Sequence, residues 1–470
     1  MVYIGRDILK RLIIIIVVFF LIFSSVSAAN FVDLDGNIKL SEYWGCKNLK
    51  LTNGTGFFDT YQDGNDKWWF VDPEGYAFYS VGVCAVSPFF RYVYNESIIK
   101  KYGDYEDWAN ATVDRFKDWG FNTLGAWSEY SLFSKTPYTY TLISRKDEKW
   151  NIARRHPDVF DPGWQLHIKE QIEGFTKILK DDPYLIGYWL DNEMNWSPDY
   201  IDRRTLLEEY ILCQYDERIR PGKTAAITFL KERYDGDVDE FNSVWKMNIK
   251  SFDDLYEVTS LGRTGCIAQH ISKKIEGDVK AFYELVAETY FSIITSLIRE
   301  NDPNHLILGV RFHLQGASEE VIRACGKYCD VVSINYYHKH ILIYDPIKYL
   351  QCYLYGSVPL DKWMKRYYEI SEKPLIIGEF SCRSLDSGLE KNRVRGSMVA
   401  INQKNRANYF KWYAKNCLES PYIVGYHWFA YIDKVIYGVD SNCGLVNKYD
   451  EEYDFVNYLS EINNKVYDLH

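Results

Sequence analysis

Pro183-Tyr-Leu-Ile-Gly-Tyr-Trp-Leu-Asp-Asn192-Glu193 reads as one buried strand. The run is short, apolar and aromatic, with a helical pattern before it and polar residues closing it. A strand apolar on both faces suits a parallel sheet covered by helices. It closes on three hydrogen-bonding side chains, Asp191, Asn192 and Glu193, where a turn residue would be ordinary. In a parallel α/β barrel the carboxyl ends of the strands carry the chemistry. Taken singly, an Asn-Glu pair at a strand end does no more than solvate a loop. A second strand with the same kind of ending changes the reading.

That strand is Pro374-Leu-Ile-Ile-Gly-Glu379. Further apolar runs at 76–83, 121–127, 138–144, 305–311, 331–337 and 423–429 alternate with amphipathic helical patterns. Eight such units predict a closed (β/α)8 TIM barrel with a short N-terminal β-rich extension and a helical insertion after strand 4. The boundaries expected are a signal peptide or N-terminal anchor at 1–29, the extension at 30–66 and the catalytic barrel at 67–470. The turn Asp72-Pro-Glu-Gly75 has a mechanism: Pro presets φ and Gly supplies the positive-φ position.

Composition narrows the partners. Hydrophobic residues make up 47% of 470, enough for a large core, and the net charge of −10 argues against nucleic acid, which needs clustered Lys and Arg. The 40 Tyr and 14 Trp suit sugar faces, although an aromatic-rich core explains them equally well. No strand is followed by a G-x-G-x-x-G fingerprint and no metal-ligand cluster stands out, so no cofactor is expected. Arg6, Lys10 and Arg11 precede an apolar run at 12–23 and small residues ending near Ala28, the pattern of a secretory signal. Export follows as an expectation, with membrane contact only through that segment if it is uncleaved. The ten Cys are scattered and read mostly as core thiols, and sequons begin at Asn53, Asn95, Asn110 and Asn195.

Glu193 and Glu379 end the fourth and seventh strands by this count, so both project from one rim. Retaining glycoside hydrolysis requires two carboxyl groups about 5 Å apart across the scissile bond. Asp191-Asn192-Glu193 and Lys373-Pro-Leu-Ile-Ile-Gly-Glu379 resemble the fourth- and seventh-strand motifs of clan A glycoside hydrolases. The chain is more closely similar to agarase-like members, themselves related to barrel β-galactosidases. Trp68-Trp-Phe-Val-Asp-Pro-Glu-Gly75, Glu379-Phe-Ser-Cys-Arg383-Ser-Leu-Asp386-Ser-Gly388, Gly425-Tyr-His-Trp428-Phe and Ser441-Asn-Cys-Gly-Leu445 extend the likeness. It implies Glu193 as general acid/base, Glu379 as nucleophile, and a β-galactosidic oligo- or polysaccharide substrate.

Those roles set physical requirements. A nucleophile stays ionised beside a cation or hydrogen-bond donors, for which Arg311 and then Arg383 are candidates. Tyr336 or Tyr337 can donate to Glu379, and Tyr337 is favoured. The acid requires an apolar neighbourhood, and Trp189 and Trp196 flank Glu193 in sequence. Asn192 is placed for the sugar 2-hydroxyl, Trp428 for the sugar floor, and Trp127 and His427 for the rim, with Asp433 and Asn442 in the last loop. Two other readings remain: an exo-acting β-galactosidase, β-mannosidase or β-glucosidase on small glycosides, and a non-catalytic carbohydrate-binding barrel.

Overall fold

The computed structural model describes residues 39–89, 92–153, 156–196, 204–213, 220–261, 272–313, 317–337, 360–389, 398–436 and 439–470. The expected signal or anchor at 1–29 lies outside them. Four strands begin the described chain: β1 (Cys46–Lys50), β2 (Asp59–Gln62), β3 (Trp68–Val71) and β4 (Tyr76–Phe78). They pair antiparallel in the order β1-β4-β3-β2. The sheet therefore takes in Trp68–Val71 and its following strand, which the sequence reading had assigned to the barrel.

The central sheet then gathers β5 (Ser80–Cys84), β6 (Thr123–Leu124) and β7 (Tyr138–Leu142). A side hairpin follows, β8 (Asn151–Ala153) with β9 (His156–Pro157). The sheet resumes with β10 (Leu185–Leu190), β11 (Leu306–Ile307), β12 (Phe312–His313), β13 (Val332–Asn335) and β14 (Leu375–Phe380). A two-stranded ribbon, β15 (Cys382–Ser384) with β16 (Met398–Ala400), precedes the last sheet strand, β17 (Ile423–Phe429).

These strands correct the expected closed eight-stranded barrel. Among the described residues the central sheet has nine parallel strands in the order β11-β10-β7-β6-β5-β17-β14-β13-β12, a barrel-like sheet whose ladder is open. Both edges come from one stretch, 305–313, of which 305–311 was expected as a single strand. Gly309 and Arg311 have φ of +78° and +52°, outside the range a strand uses. Arg311 N–H donates to the Ser333 side chain at 2.7 Å instead of to a neighbouring carbonyl. The stretch divides into two short edge strands as a result.

The side chains of the sheet fall into two cores, with the alternation interrupted where β10 and β17 shift register. An inner one holds Cys84, Ala126, Ile186, Trp189, Leu308, Ile376 and Val424, with Phe58, Phe70 and Phe78 of the N-terminal region packed into it. The outer one lies under the helices and contains Val81, Val83, Leu185, Tyr188, Leu190, Ile377 and Tyr426. Local signals start and stop those helices where the sequence placed them. Asp104 caps Tyr105–Trp119 through the Asp107 N–H, and Gly120, at φ +74°, ends it. Asp161 and Pro162 open Pro162–Leu179. The helices expected after the fourth strand are Leu206–Leu212, Pro221–Arg233 and Val238–Trp245.

The helix Lys273–Asn301 is long and apolar enough to cross a membrane, a property the sequence reading reserved for the N-terminus. Its apolar stripe is buried, with Val286, Tyr290, Ile294 and Ile298 all in the outer core, which accounts for the composition. Of the ten Cys, eight lie among the described residues, seven of them buried.

Candidate active site

β10 delivers the first carboxylate through a bent exit. Asp191 and Glu193 take φ of +92° and +50°, so the chain leaves the strand through two left-handed residues on either side of Asn192. Asp191 anchors the bend. Its buried carboxylate accepts from the Ser144 N–H at 3.0 Å, the Ser144 hydroxyl, and the Tyr290 hydroxyl at 2.7 Å. Burial pushes its carboxyl up to about 6 against those donors. The backbone of the bend is tied down as well: Arg145 donates to the Asn192 carbonyl at 2.9 Å, and Glu193 N–H donates to the Arg311 carbonyl at 3.3 Å.

Glu379, on β14, is buried and held from three other strand ends. Oε1 accepts from Trp127 Nε1 at 3.1 Å and from Arg311 Nη2, and Oε2 accepts from the Tyr337 hydroxyl at 2.5 Å. Burial pushes the carboxyl up from its ordinary range, and Glu193 pushes the same way; Arg311, Tyr337 and Trp127 oppose them. The guanidinium makes a charge-assisted bond to the carboxylate in a dry setting, which favours the ionic form. Burial, reinforced by Glu379 and Glu193, raises the Tyr337 hydroxyl well above its usual range, so Tyr337 remains a donor.

Arg311 joins the two halves. Its Nε donates to Asn192 Oδ1 at 2.8 Å while Nη2 holds Glu379. Asn335, at the end of β13, donates through Nδ2 to Asn192 Oδ1 at 3.0 Å and to Glu193 Oε1 at 3.2 Å. An unbroken chain of polar contacts thus runs Glu379–Arg311–Asn192–Asn335–Glu193. Arg311 also lies over Trp189, 5.1 Å from the ring centroid, and over Trp127 at 5.9 Å.

Of the residues singled out in the sequence, Glu193, Glu379, Asn192, Tyr337, Arg311 and Trp127 come together here. Tyr336 points the other way, toward Tyr413, as alternation along β13 requires. Arg383 is buried in β15, and Arg311 is the cation at Glu379. Trp189 lies in the inner core under Arg311, and Trp196 packs on Phe291 and Tyr290 among the helices.

Trp428 and His427 sit elsewhere than at the sugar floor and rim. Trp428 is fully buried in the outer core, against Phe380, Phe410 and Phe455, with Nε1 donating to the Cys443 carbonyl at 2.8 Å. The inward residue is its neighbour Phe429, partly buried, 6.5 Å from the Tyr337 ring. His427 fills the barrel interior, its Nε2 2.8 Å from the Ser80 hydroxyl. A Cβ on Gly82 or Gly125 would stand 2.3 or 2.9 Å from that ring, so the two glycines make its space. Burial, with Arg311 nearby, lowers the imidazole to about 3, and it stays neutral. Asp433 and Asn442 are buried too: Asp433 accepts from Asn442 Nδ2, the Gly444 N–H and the Tyr453 hydroxyl, and so braces its own loop.

Sequence reasoning missed Asn335 and Phe429. Alternation from Tyr337 reaches residue 335 directly, and the same step from His427 reaches Phe429, so the signal was present for both.

A family model described as β-galactosidase matches residues 129–353. The chain is 28% identical over 398 residues to β-agarase B of Vibrio sp. (strain JT0107), covering 80% of this chain and 38% of that protein. Among solved structures, an exo-β-agarase superposes with a TM-score of 0.75 at 22% identity, over 91% of this chain and 67% of the other. PfGH50B superposes at 0.74 with 26% identity, over 91% and 68%. The chain spans less than two-fifths of the length of the curated relatives it matches. In its sheet, its strand-end carboxylates and these likenesses the chain is similar to clan A glycoside hydrolases. Within that clan the chain is similar in these comparisons to agarases and to the β-galactosidase family whose model it matches.

Proposed function

We propose that the chain is a retaining glycoside hydrolase that cleaves β-galactosidic linkages of agarose-like or galactan polysaccharides. The observation that carries this reading is the contact chain from Glu379 through Arg311, Asn192 and Asn335 to Glu193. It sets two carboxylates in one mouth, in environments suited to different tasks.

Glu379 attacks the anomeric carbon through Oε2, the oxygen with a single donor among the described residues. Glu193 gives its proton to the departing glycosidic oxygen, and a covalent glycosyl-enzyme forms. Water then enters on the leaving-group side. Glu193 takes a proton from it, the oxygen bonds to the anomeric carbon, and the bond to Glu379 breaks. Each displacement inverts the centre, so the product retains the β configuration. Asn192 presents its amide N–H to the 2-hydroxyl, a bond that strengthens as positive charge builds at the anomeric carbon.

The substrate rests on the agarase and β-galactosidase likenesses. Export to meet a polysaccharide is part of the same proposal, supported by the basic start and short apolar run before residue 30. N-terminal sequencing of secreted protein tests it.

The central experiment measures reducing ends released from agarose, β-galactan, β-mannan, β-glucan and aryl β-glycosides, with NMR of the first-formed anomer. Release from agarose or galactan with the β-anomer appearing first is expected. Inversion would overturn the double displacement, release from the mannan or glucan alone would overturn the sugar, and silence on every substrate would favour a binding-only barrel.

A further inference from the structure

The contact chain also fixes which end of each amide faces which partner. Arg311 has only donors, so the Asn192 atom it meets at 2.8 Å is the carbonyl oxygen. Asn335 approaches that same oxygen, and therefore presents its NH2 group. The one NH2 group also reaches Glu193 Oε1 at 3.2 Å. Turning the Asn335 amide over would set its oxygen against two acceptors.

On its other side Asn335 gains nothing. The residue is fully buried, and its Oδ1 has no hydrogen-bond partner among the described residues. A buried acceptor without a partner costs stability, and such costs concentrate where a site needs the geometry. The fold also reserves the space: a Cβ on Gly378, the residue before Glu379, would stand 2.7 Å from Asn335 Oδ1. Asn335 is paired in register with Glu379 across β13 and β14, so its place is fixed by the strand that carries the other carboxylate.

We infer that Asn335 is a positioning residue that, itself seated against Asn192 Oδ1, holds the Glu193 carboxyl for proton delivery to the leaving oxygen. This rests on the glycosidase reading above. Asn335 need not touch the sugar; it acts by orienting Glu193, which does. Glu193 sits half-buried on a left-handed bend, with Asn335 as its side-chain brace among the described residues. A carboxyl so placed keeps reach and angle only if a fixed group holds it.

The test is a leaving-group series. Aryl β-galactosides running from dinitrophenyl to alkyl-phenyl leaving groups are compared on wild type, Asn335→Ala and Asn335→Asp. The quantity compared is kcat/KM, which reports the steps up to the covalent intermediate. A dinitrophenolate departs without acid help, whereas an alkyl-phenolate requires it. Both variants are expected to lose about 10- to 100-fold on the poorest leaving groups and under about 3-fold on the best. Asn335→Asp nearly preserves the shape and removes the donor, so it covers the case in which Asn335→Ala fails to fold.

A loss equal across the series, or none, overturns the inference while the glycosidase reading stands. A wild type silent on these galactosides and on agarose overturns that reading and the inference with it.

Discussion

Glu379 and Glu193 end strands of the same sheet, yet the chain surrounds them differently. Glu379 is buried and takes three side-chain donors, Trp127, Arg311 and Tyr337, each from a separate strand end. Glu193 is half-buried, on a bend of two left-handed residues, with Asn335 donating to it. The contrast matches what a double displacement asks of each group. A nucleophile works best fixed and ionised, and a proton donor must face a leaving group and later a water. Sequence adjacency to aromatic residues did not reveal this, since Trp189 and Trp196 turn to other tasks.

Removing each carboxylate tests the contrast most severely. Glu379→Ala should lower kcat by about 10⁴-fold or more on every substrate, because it removes the covalent route. Glu193→Ala should cost about 10²–10⁴-fold on poor leaving groups and much less on activated ones, with added azide restoring turnover as a β-glycosyl azide. If the two variants show the same leaving-group dependence, the division of roles fails.

Tyr337→Phe asks how far Glu379 depends on its donors. Deleting the hydroxyl should lower kcat by about 10- to 100-fold if Glu379 is the nucleophile that this bond orients. Thermal melting should change little, because the ring beside Phe429 remains. A large fall in melting temperature with unchanged kcat would make Tyr337 a packing residue.

The Asp191 anchor beside Glu193 is read through stability. Asp191 is held at about 6 when folded, above the ordinary 3.8 of a free carboxyl. Between pH ~4 and ~6 the folded protein keeps a proton that the unfolded chain releases. This group's contribution therefore falls as pH rises through that window, and the burial cost is complete above about pH 6. Asp191→Asn cannot ionise, so denaturant melts should show wild type losing at most about 3 kcal/mol relative to the variant from pH 4 to 7. A pH-independent difference would mean the carboxyl does not titrate there.

The smallest effect distinguishes the two aromatic residues ending β17. Phe429→Ala should raise KM about 3- to 10-fold by removing an apolar surface from the mouth. Trp428→Phe should leave KM alone and lower stability by about 1–3 kcal/mol, as a large-to-small change in the core. The opposite outcome would return Trp428 to the sugar floor.

Much of this was legible before any coordinates. Alternating strand and helix patterns gave the parallel layers, and the endings at Asn192-Glu193 and Gly378-Glu379 gave the two carboxylates. That only one of Tyr336 and Tyr337 faces the mouth follows from period two. In β17 the register shifts between Val424 and His427, so counting from the start of the strand points to Trp428 where the structure turns Phe429 inward. The open ladder could not be read, because 305–311 looks like an uninterrupted apolar strand and nothing in its composition reports a left-handed Arg311. The network was hidden for a related reason: Asn335 matters through a bend at Glu193 and a glycine at 378, which meet only in three dimensions.

The break at Gly309–Arg311 has a consequence for anyone redesigning this molecule. A residue replacing Arg311 inherits its left-handed backbone, a strained setting for any side chain but glycine. Making the stretch a regular strand, for example through Gly309→Val, would draw the guanidinium away from Glu379 and Asn192 together. Sheet continuity and the charge at the centre are one design variable here, and a variant stiffened along this seam should be expected to lose its catalyst as it gains its ladder.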